Sequence, residues 1–260
     1  MSGSKLNMIR VNALFTPAEV AALHNRNLSG TTCVVFDVLR ATTTLLAALE
    51  HGATAIIPVI DIPEALEWKR RQPDILLGGE RDGRRIGAAL TGGVEFDFGN
   101  SPREYPASRV AGKTIVCTTT NGTRALRGCQ HAGAVLPAAF SNLDATAAAI
   151  HALALPELLL IGAGTEDEAA FEDILGIGAL LDALWPKLGT VRCSDAAHLA
   201  RNAYLAAQND LLAAVALHSR NGRRLLQLTD LSADVPVCLA RNTLGFAARL
   251  GPDGLIHRLG

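Results

Sequence analysis

Apolar and polar positions follow two alternating periods along this chain, and the alternation predicts strands that lead into helices. Thr32–Phe36 is a short, β-branched apolar run, as expected of a buried strand, and Ala41–His51 continues as an apolar helix that Gly52 closes. The same reasoning predicts strands over Met8–Leu14, Ala55–Ile60 and Ile75–Leu77, and helices that begin at the caps Thr16 and Asp61.

Three stretches share one plan, in which an apolar strand, a polar turn and an Ala/Leu-rich helix follow one another. They lie at 31–60, 113–139 and 157–184. Repeated strand–turn–helix units predict an α/β fold, with a layered, mostly parallel or mixed sheet and helices on its faces. Because ligands of such sheets bind at the carboxyl ends of the strands, we expect the three polar turns to lie on one edge, around one site.

The remaining segments are less regular. Arg81–Asn100 is glycine-rich without a sustained period, which predicts a functional loop, and Ser101 is placed to cap a short helix after it. Helices are expected over about 195–219 and over Ala233–Arg241, with a terminal strand at Leu255–Arg258. The length suits one α/β domain over 1–260, or two tightly packed halves at about 1–110 and 111–260.

Composition narrows the function classes. The formal net charge is −1 with both signs interspersed, so neither a nucleic-acid face nor a polybasic membrane patch is expected. No apolar run reaches the ~18 residues that span a bilayer, and the polar segment Met1–Met8 lacks the core of a signal peptide. The five cysteines show no metal-binding spacing, which favours a reduced, cytoplasmic protein.

Asp37 and Arg40 stand where the strand Thr32–Phe36 gives way to a helix. A carboxylate for a cation and a guanidinium for an anion beside a helix N-terminus suit phosphoryl transfer. The alternative is structural, with Asp37 capping the helix and Arg40 on the surface.

A hydroxyl-rich turn follows the second strand of this kind. Hydroxyls, an amide and a glycine that permits close backbone approach predict a phosphate cradle, although an ordinary capping turn is the alternative. The motif is not a Walker A loop, since no GxxxxGK[ST] occurs. The residues of the turn are Thr118, Thr119, Thr120, Asn121, Gly122, Thr123 and Arg124.

Further acids occur at other strand ends. Glu80 and Arg81 repeat the pairing of acid and guanidinium, and Glu172 and Asp173 begin the helix after the third polar turn. A favourable interaction with the helix dipole would explain one or two of these acids. Oxygen ligands without a Cys/His set favour Mg²⁺ over zinc.

Taken together, these residues resemble the 2-phosphosulfolactate phosphatase family over essentially the whole chain. The shared motifs occur in the family's order: Phe36–Thr43, Gly79–Arg81, Phe98–Pro102 with Asn100 and Ser101, Thr118–Thr123, and Ala163–Thr165 followed by Glu172 and Asp173. The resemblance implies a Mg²⁺-dependent hydrolase that releases phosphate from (R)-2-phospho-3-sulfolactate, a step in coenzyme M biosynthesis. It also brings Arg40, Arg81, Arg103 and Arg124 as clamps for a small substrate with several anionic groups.

As a mechanistic hypothesis, Asp37 binds Mg²⁺ with Glu80 or with the Glu172/Asp173 pair. Arg40 neutralises the phosphoryl group, which Thr118–Thr123 hold, and a carboxylate directs water onto it. A covalent aspartyl-phosphate on Asp37 is the other route, although Leu39 stands where haloacid-dehalogenase phosphatases have a second Asp.

Two other functions stay open at this point. The chain could be a non-catalytic regulatory protein that binds a phosphorylated metabolite, or a phosphatase of the same type for another phosphorylated acid. The Ala/Leu-rich stretch near 195–219 could supply a homodimer face.

Overall fold

The computed structural model describes residues 10–188 and 191–259, so Met1–Met8 and the first two residues of the strand predicted from Met8 lie outside it. Within these ranges the chain forms one mixed sheet of eleven strands with helices on its faces, which confirms the α/β fold. The strands are β1 Arg10–Leu14, β2 Thr31–Phe36, β3 Ala55–Pro58, β4 Leu76–Arg81, β5 Arg84–Arg85, β6 Thr114–Thr118, β7 Ala134–Ala138, β8 Glu157–Gly162, β9 Arg192–Cys193, β10 Ala248–Leu250 and β11 Ile256–Arg258. The helices are α1 Pro17–Ala21, α2 Ala41–Glu50, α3 Ile62–Arg71, α4 Ala88–Thr91, α5 Ala107–Val110, α6 Gly122–Gly128, α7 Leu143–Leu153, α8 Phe171–Leu188, α9 Asp195–Ala207, α10 Leu211–His218, α11 Arg220–Leu226 and α12 Asp234–Leu239.

The sheet contains two parallel groups that a hairpin joins. Its strand order is β5-β4-β6-β3-β11-β10-β7-β2-β8-β1-β9. Strands β4, β6 and β3 are mutually parallel, as are β7, β2, β8, β1 and β9. The three pairings between the groups, β3–β11, β11–β10 and β10–β7, are all antiparallel, so the two groups run in opposite senses. The strand order also shows that strands from the first and second halves of the sequence are interleaved in the sheet.

Strand β2 carries the core on both of its faces. Its six residues are all buried, and successive side chains enter different layers. Val34 and Phe36 pack in the layer that contains α7, α8 and α9, whereas Cys33 and Val35 pack in the layer that contains α1, α2 and α6. A buried apolar strand between two helical layers is the arrangement that parallel strands require.

Local signals predicted several boundaries correctly. The Thr16 hydroxyl accepts from the Glu19 N–H at 3.3 Å while the Glu19 carboxylate accepts from the Thr16 N–H at 3.0 Å, so the capping box at α1 is confirmed. Asp61 likewise caps α3 by accepting from the Glu64 N–H at 2.9 Å.

Other boundaries differ from the prediction. Strand β4 does not stop at Leu77 but runs to Arg81, because Gly79, at φ +151°, passes so close to β6 that a Cβ there would overlap the Thr118 carbonyl. The stretch 195–219 is broken where the Asp210 side chain caps α10, accepting from the Ala213 N–H at 2.9 Å.

Some elements were not predicted from the sequence. Strand β5 and helix α4 lie inside the expected loop Arg81–Asn100, and α7, β9 and β10 were missed. Helix α11 follows the end of the stretch expected to be helical, at about residue 219, and was not predicted. In the described ranges, no helix is both long enough and apolar enough to cross a membrane.

Candidate active site

The polar turns meet at one cavity of about 130 Å³ between the two parallel groups of strands. This confirms that they surround one site, although the reason differs from the expected one. A single parallel edge does not exist, because the groups run in opposite senses. Of the residues that the sequence singled out, the cavity is lined by Asp37, Arg40, Glu80, Asn100, Thr120 and Asn121.

Hydrogen bonds between the turns hold this arrangement together. The Asn121 side chain donates to the Gly164 carbonyl at 2.9 Å, which ties the turn after β6 to the turn after β8. Asp173 accepts from the Val38 N–H at 2.8 Å and from the Gly164 N–H at 3.2 Å. One side chain at the start of α8 therefore joins the ends of β2 and β8.

Asp37 is the partly buried carboxylate on the cavity wall. Its Oδ1 accepts from the Ala41 N–H at 3.0 Å, as the structural alternative required, and a Cβ on Gly122 would lie 2.5 Å from its Oδ2. The pKa of Asp37 is raised to about 7, chiefly by burial and also by the charges of Glu80 and Glu172, against the hydrogen bonds from the Ala41 and Gly122 N–H groups. The carboxylate is thus both anchored and short of compensating positive charge.

The Glu80 carboxylate accepts more hydrogen bonds than the Asp37 carboxylate does. Its Oε1 accepts from the N–H and the hydroxyl of Thr120, both at 3.0 Å, and its Oε2 accepts from the Gly83 N–H at 2.8 Å. Arg81, next along the strand, does not line the cavity; its guanidinium donates to the Thr118 hydroxyl at 3.0 Å. Burial lowers the pKa of Arg81.

The hydroxyl-rich turn divides into two parts. Thr119 and Thr123 bond each other reciprocally, with the Thr123 hydroxyl accepting from the Thr119 N–H at 3.1 Å and the Thr119 hydroxyl accepting from the Thr123 N–H at 3.2 Å. These two residues fit the capping alternative. Thr120 and Asn121 line the cavity, and Thr118 bonds Arg81.

A buried ion network that the sequence did not reveal stands behind Arg40. The Arg40 guanidinium donates to Asp234 at 2.8 Å and to the Gly83 carbonyl at 2.9 Å, so the surface alternative for Arg40 is wrong. Asp234 is fully buried and also accepts from the Ser101 hydroxyl at 2.7 Å and from Arg103 at 2.6 Å. Asp234 therefore fixes where Arg40 meets the cavity.

Glu172 is a buried acceptor that does not line the cavity itself but bonds Asn221, which does. It accepts from the Ser219 hydroxyl at 2.6 Å and from the Asn221 amide at 2.7 Å. Burial, followed by the charges of Glu172 and Asp37, raises the pKa of Asp173. In residues 10–188 and 191–259, no three Asp, Glu, His or Cys side chains form a compact metal-binding group. A metal role for Glu172 and Asp173 stays a prediction, and their hydrogen bonds show that both position other groups.

The arginine set differs from the expected one. Arg40 lines the cavity, but Arg81, Arg103 and Arg124 do not. Arg224 on α11, which the sequence did not indicate, does line it, and donates to the Asp82 carbonyl at 2.8 Å. No element was predicted from the sequence over Arg220–Leu226, which is why this guanidinium was missed.

Fold and cavity together define the class: an α/β enzyme that handles a small anionic ligand with carboxylates, amides and arginines at its strand ends. A family model described as 2-phosphosulpholactate phosphatase matches residues 17–250. The chain belongs to that family and is a phosphoric monoester hydrolase.

Individual relatives agree with the family match. A Clostridium acetobutylicum protein is 33% identical over 81% of this chain and 86% of its own length. A Gloeobacter violaceus protein is 37% identical over 86% and 89%, and a Caldicellulosiruptor saccharolyticus protein 39% identical over 68% and 72%. Each of these relatives is called a probable 2-phosphosulfolactate phosphatase.

Proposed function

We propose that this enzyme is a Mg²⁺-dependent phosphatase that hydrolyses (R)-2-phospho-3-sulfolactate to 3-sulfolactate and phosphate, a step in coenzyme M biosynthesis in the cytoplasm. The observation that carries the phosphatase part is the cavity in which Asp37 and Glu80 face Thr120 and Asn121. The names of the relatives supply the substrate. The pathway and the compartment follow from that substrate and from the five free cysteines.

The charges on the cavity wall suit a substrate with more than one anionic group. Arg40 and Arg224 both line it, and each is already oriented by a carbonyl or carboxylate partner. Guanidinium groups bind phosphate, sulfonate and carboxylate oxygens through paired N–H donors. Leu225 and Leu228 leave room on the same wall for the short carbon chain of the ester.

Asp37 is the residue best placed to handle the proton of the attacking water. Without a cation the pKa of Asp37 lies at about 7, so its carboxylate can accept a proton near neutral pH, and a bound cation would keep it ionised as a general base must be. The water oxygen bonds to phosphorus, the ester P–O bond breaks, Asp37 takes the water proton, and the alkoxide takes a proton from solvent. Asn121 uses one amide N–H on the Gly164 carbonyl and can donate the other to a phosphoryl oxygen, whereas both Thr120 donors are used on Glu80.

The donor set of the cavity fits Mg²⁺. Asp37 and Glu80 offer hard carboxylate oxygens, Asn100 and Asn121 offer amide oxygens, and the wall carries no His or Cys. Burial is the main cause of the raised pKa of Asp37, and the negative charges of Glu80 and Glu172 add to it; a divalent cation would offset those charges. Mg²⁺ binds few protein carboxylates and takes its other ligands from water and phosphate, so a closed acid cluster is not needed. When bound, it would supply charge neutralisation for the phosphoryl oxygens.

A regulatory protein that binds a phosphorylated metabolite without hydrolysing it is the competing interpretation. It requires the anion-binding groups but gives no reason to bury a carboxylate with a raised pKa among them. Family membership and Asp37 together favour the enzyme. A homodimer through the helices near 195–219 remains a separate proposal.

The deciding experiment measures phosphate release from 2-phospho-3-sulfolactate, phospholactate and phosphoglycerate, with Mg²⁺ and with EDTA. We expect release from the sulfolactate ester with Mg²⁺ and its loss in Asp37→Asn. The matched control is Asp74→Asn, at an exposed acid remote from the cavity, which should retain full activity. Equal release with EDTA would refute the role of the metal, and saturable binding without any release would favour the regulatory interpretation.

A further inference from the structure

A second cavity, of about 250 Å³, opens to the surface. It is bordered by α2, by the turn Pro102–Glu104, by α12 and by residues 243 and 244. Its apolar wall contains Ala47, Val237 and Leu244. A space of this size among aliphatic side chains fits a compact apolar body of a small molecule.

Arg103, Glu50 and His51 are the ionisable side chains that the described part of the chain places on the wall of this cavity. Arg103 lines it, and uses two of its five side-chain N–H bonds within the described residues, on Asp234 and on the Asp230 carbonyl at 2.7 Å. Glu50 also lines the cavity, but Arg258 lies 3.6 Å from its carboxylate and offsets its charge. The remaining positive charge of Arg103 selects an anionic group.

The two cavities share one carboxylate. Asp234 accepts from Arg40, which lines the first cavity, and from Arg103, which lines the second. A ligand that attracts Arg103 reduces its hold on Asp234. Asp234 then pairs more completely with Arg40, which becomes less available to an anion in the first cavity.

We propose that the second cavity binds a small monocarboxylate with a compact apolar body, and that occupancy weakens anion binding in the first cavity through Asp234. The binding part stands on the cavity itself, whereas any effect on turnover rests on the proposed phosphatase function. Because the coupling is thermodynamic, each ligand must change the affinity of the other by the same factor.

Binding is tested with benzoate as the probe and benzamide as its neutral match, by calorimetry and ligand-observed NMR on the intact protein. We expect saturable benzoate binding at millimolar concentrations, little benzamide binding, and an affinity about tenfold lower in Arg103→Gln. Val237→Trp fills the cavity from a partly exposed position and should abolish binding, whereas Leu199→Trp, on a remote exposed site, should not. Benzoate binding that survives Val237→Trp in a folded protein, or no saturable binding, would overturn the site.

Coupling is measured with inorganic phosphate, without any turnover. Saturating benzoate should weaken phosphate binding about fivefold, and phosphate should weaken benzoate binding equally. Independent binding of the two would overturn the coupling. A protein that binds benzoate but releases no phosphate would contradict the proposed function alone, and one that hydrolyses ester but binds no benzoate would contradict this inference alone.

Discussion

Replacing Asp37 by Asn should make the protein more stable while removing its activity. Asn has the same shape and keeps an oxygen that can accept from the Ala41 N–H. It removes a charge that the folded protein holds poorly, since the pKa of Asp37 rises from 3.8 to about 7 on folding. Stability and function are therefore expected to change in opposite directions at this position.

The magnitude follows from the same values. At about 1.4 kcal/mol per pKa unit, ionised Asp37 destabilises the folded protein by roughly 4 kcal/mol. Water in the cavity screens part of this destabilisation. The NH₂ group of Asn would also face the Gly122 N–H, so that two donors meet. For both reasons we subtract roughly 2 kcal/mol from the expected gain. The expected gain is about 2 kcal/mol, or about 4–8 °C in the midpoint of thermal unfolding.

The pH dependence separates this mechanism from a packing effect. The folded protein holds the proton on Asp37 more tightly than the unfolded chain, so this group's contribution to stability is complete below the unfolded pKa and is lost as the pH rises towards about 7. The advantage of Asp37→Asn should therefore be complete at about pH 8.5 and less than half as large at about pH 5.

The assay is urea unfolding followed by tryptophan fluorescence at both pH values, with Asp74→Asn as the exposed control. Added Mg²⁺ should stabilise the wild-type protein at about pH 8.5 and have little effect on Asp37→Asn, because a ligand stabilises only the state that binds it. A gain of equal size at both pH values, or a loss of stability at about pH 8.5, would refute the reasoning.

Three further results are expected. Because a pKa of about 7 leaves Asp37 partly protonated at neutral pH, kcat/KM should rise through about pH 7, and more Mg²⁺ should lower that midpoint; a midpoint independent of Mg²⁺ would contradict metal binding here. Asp234→Asn leaves a buried guanidinium without its carboxylate and should cost about 3–5 kcal/mol in urea unfolding, against less than about 0.5 kcal/mol for the exposed Asp230→Asn. Gly122→Ala would place a Cβ 2.5 Å from the Asp37 Oδ2, and should lower kcat and cost about 1–3 kcal/mol, whereas Gly245→Ala, with nothing within 4 Å, should behave like wild type.

Local signals account for the parts of the fold that could be predicted. The capping box at Thr16, the cap at Asp61 and the buried run of β2 each depend on residues within a few positions of one another. Strand β11 was predicted as the terminal strand, but its hairpin partner β10 is only three residues long and was not, so the hairpin itself was missed. That hairpin reverses the direction of the sheet. The polar turns therefore do not lie on the one parallel edge that was predicted, although they do line one cavity.

The sequence did not predict which residues of each motif line the cavity and which bond other parts of the protein. Glu80 and Arg81 are neighbours on an extended strand, so their side chains point to opposite faces and only Glu80 lines the cavity. The sequence placed both beyond the strand, where this alternation would not apply. Asp234 was missed for another reason, because its partner Arg40 lies 194 positions away and no local pattern records the pairing.

The acids around the cavity differ in how many hydrogen bonds compensate their negative charge. Glu80 receives three hydrogen bonds, Asp173 receives two backbone N–H groups, and Glu172 receives a hydroxyl and an amide. Those bonds fix the turns in place, and the charges of Glu80 and Glu172 act on Asp37, which receives fewer hydrogen bonds than Glu80, the other buried acid on the cavity wall. Of these two wall carboxylates, Asp37 is therefore the one more available to an entering divalent cation. The acids that hold the site together are also those that make one carboxylate reactive.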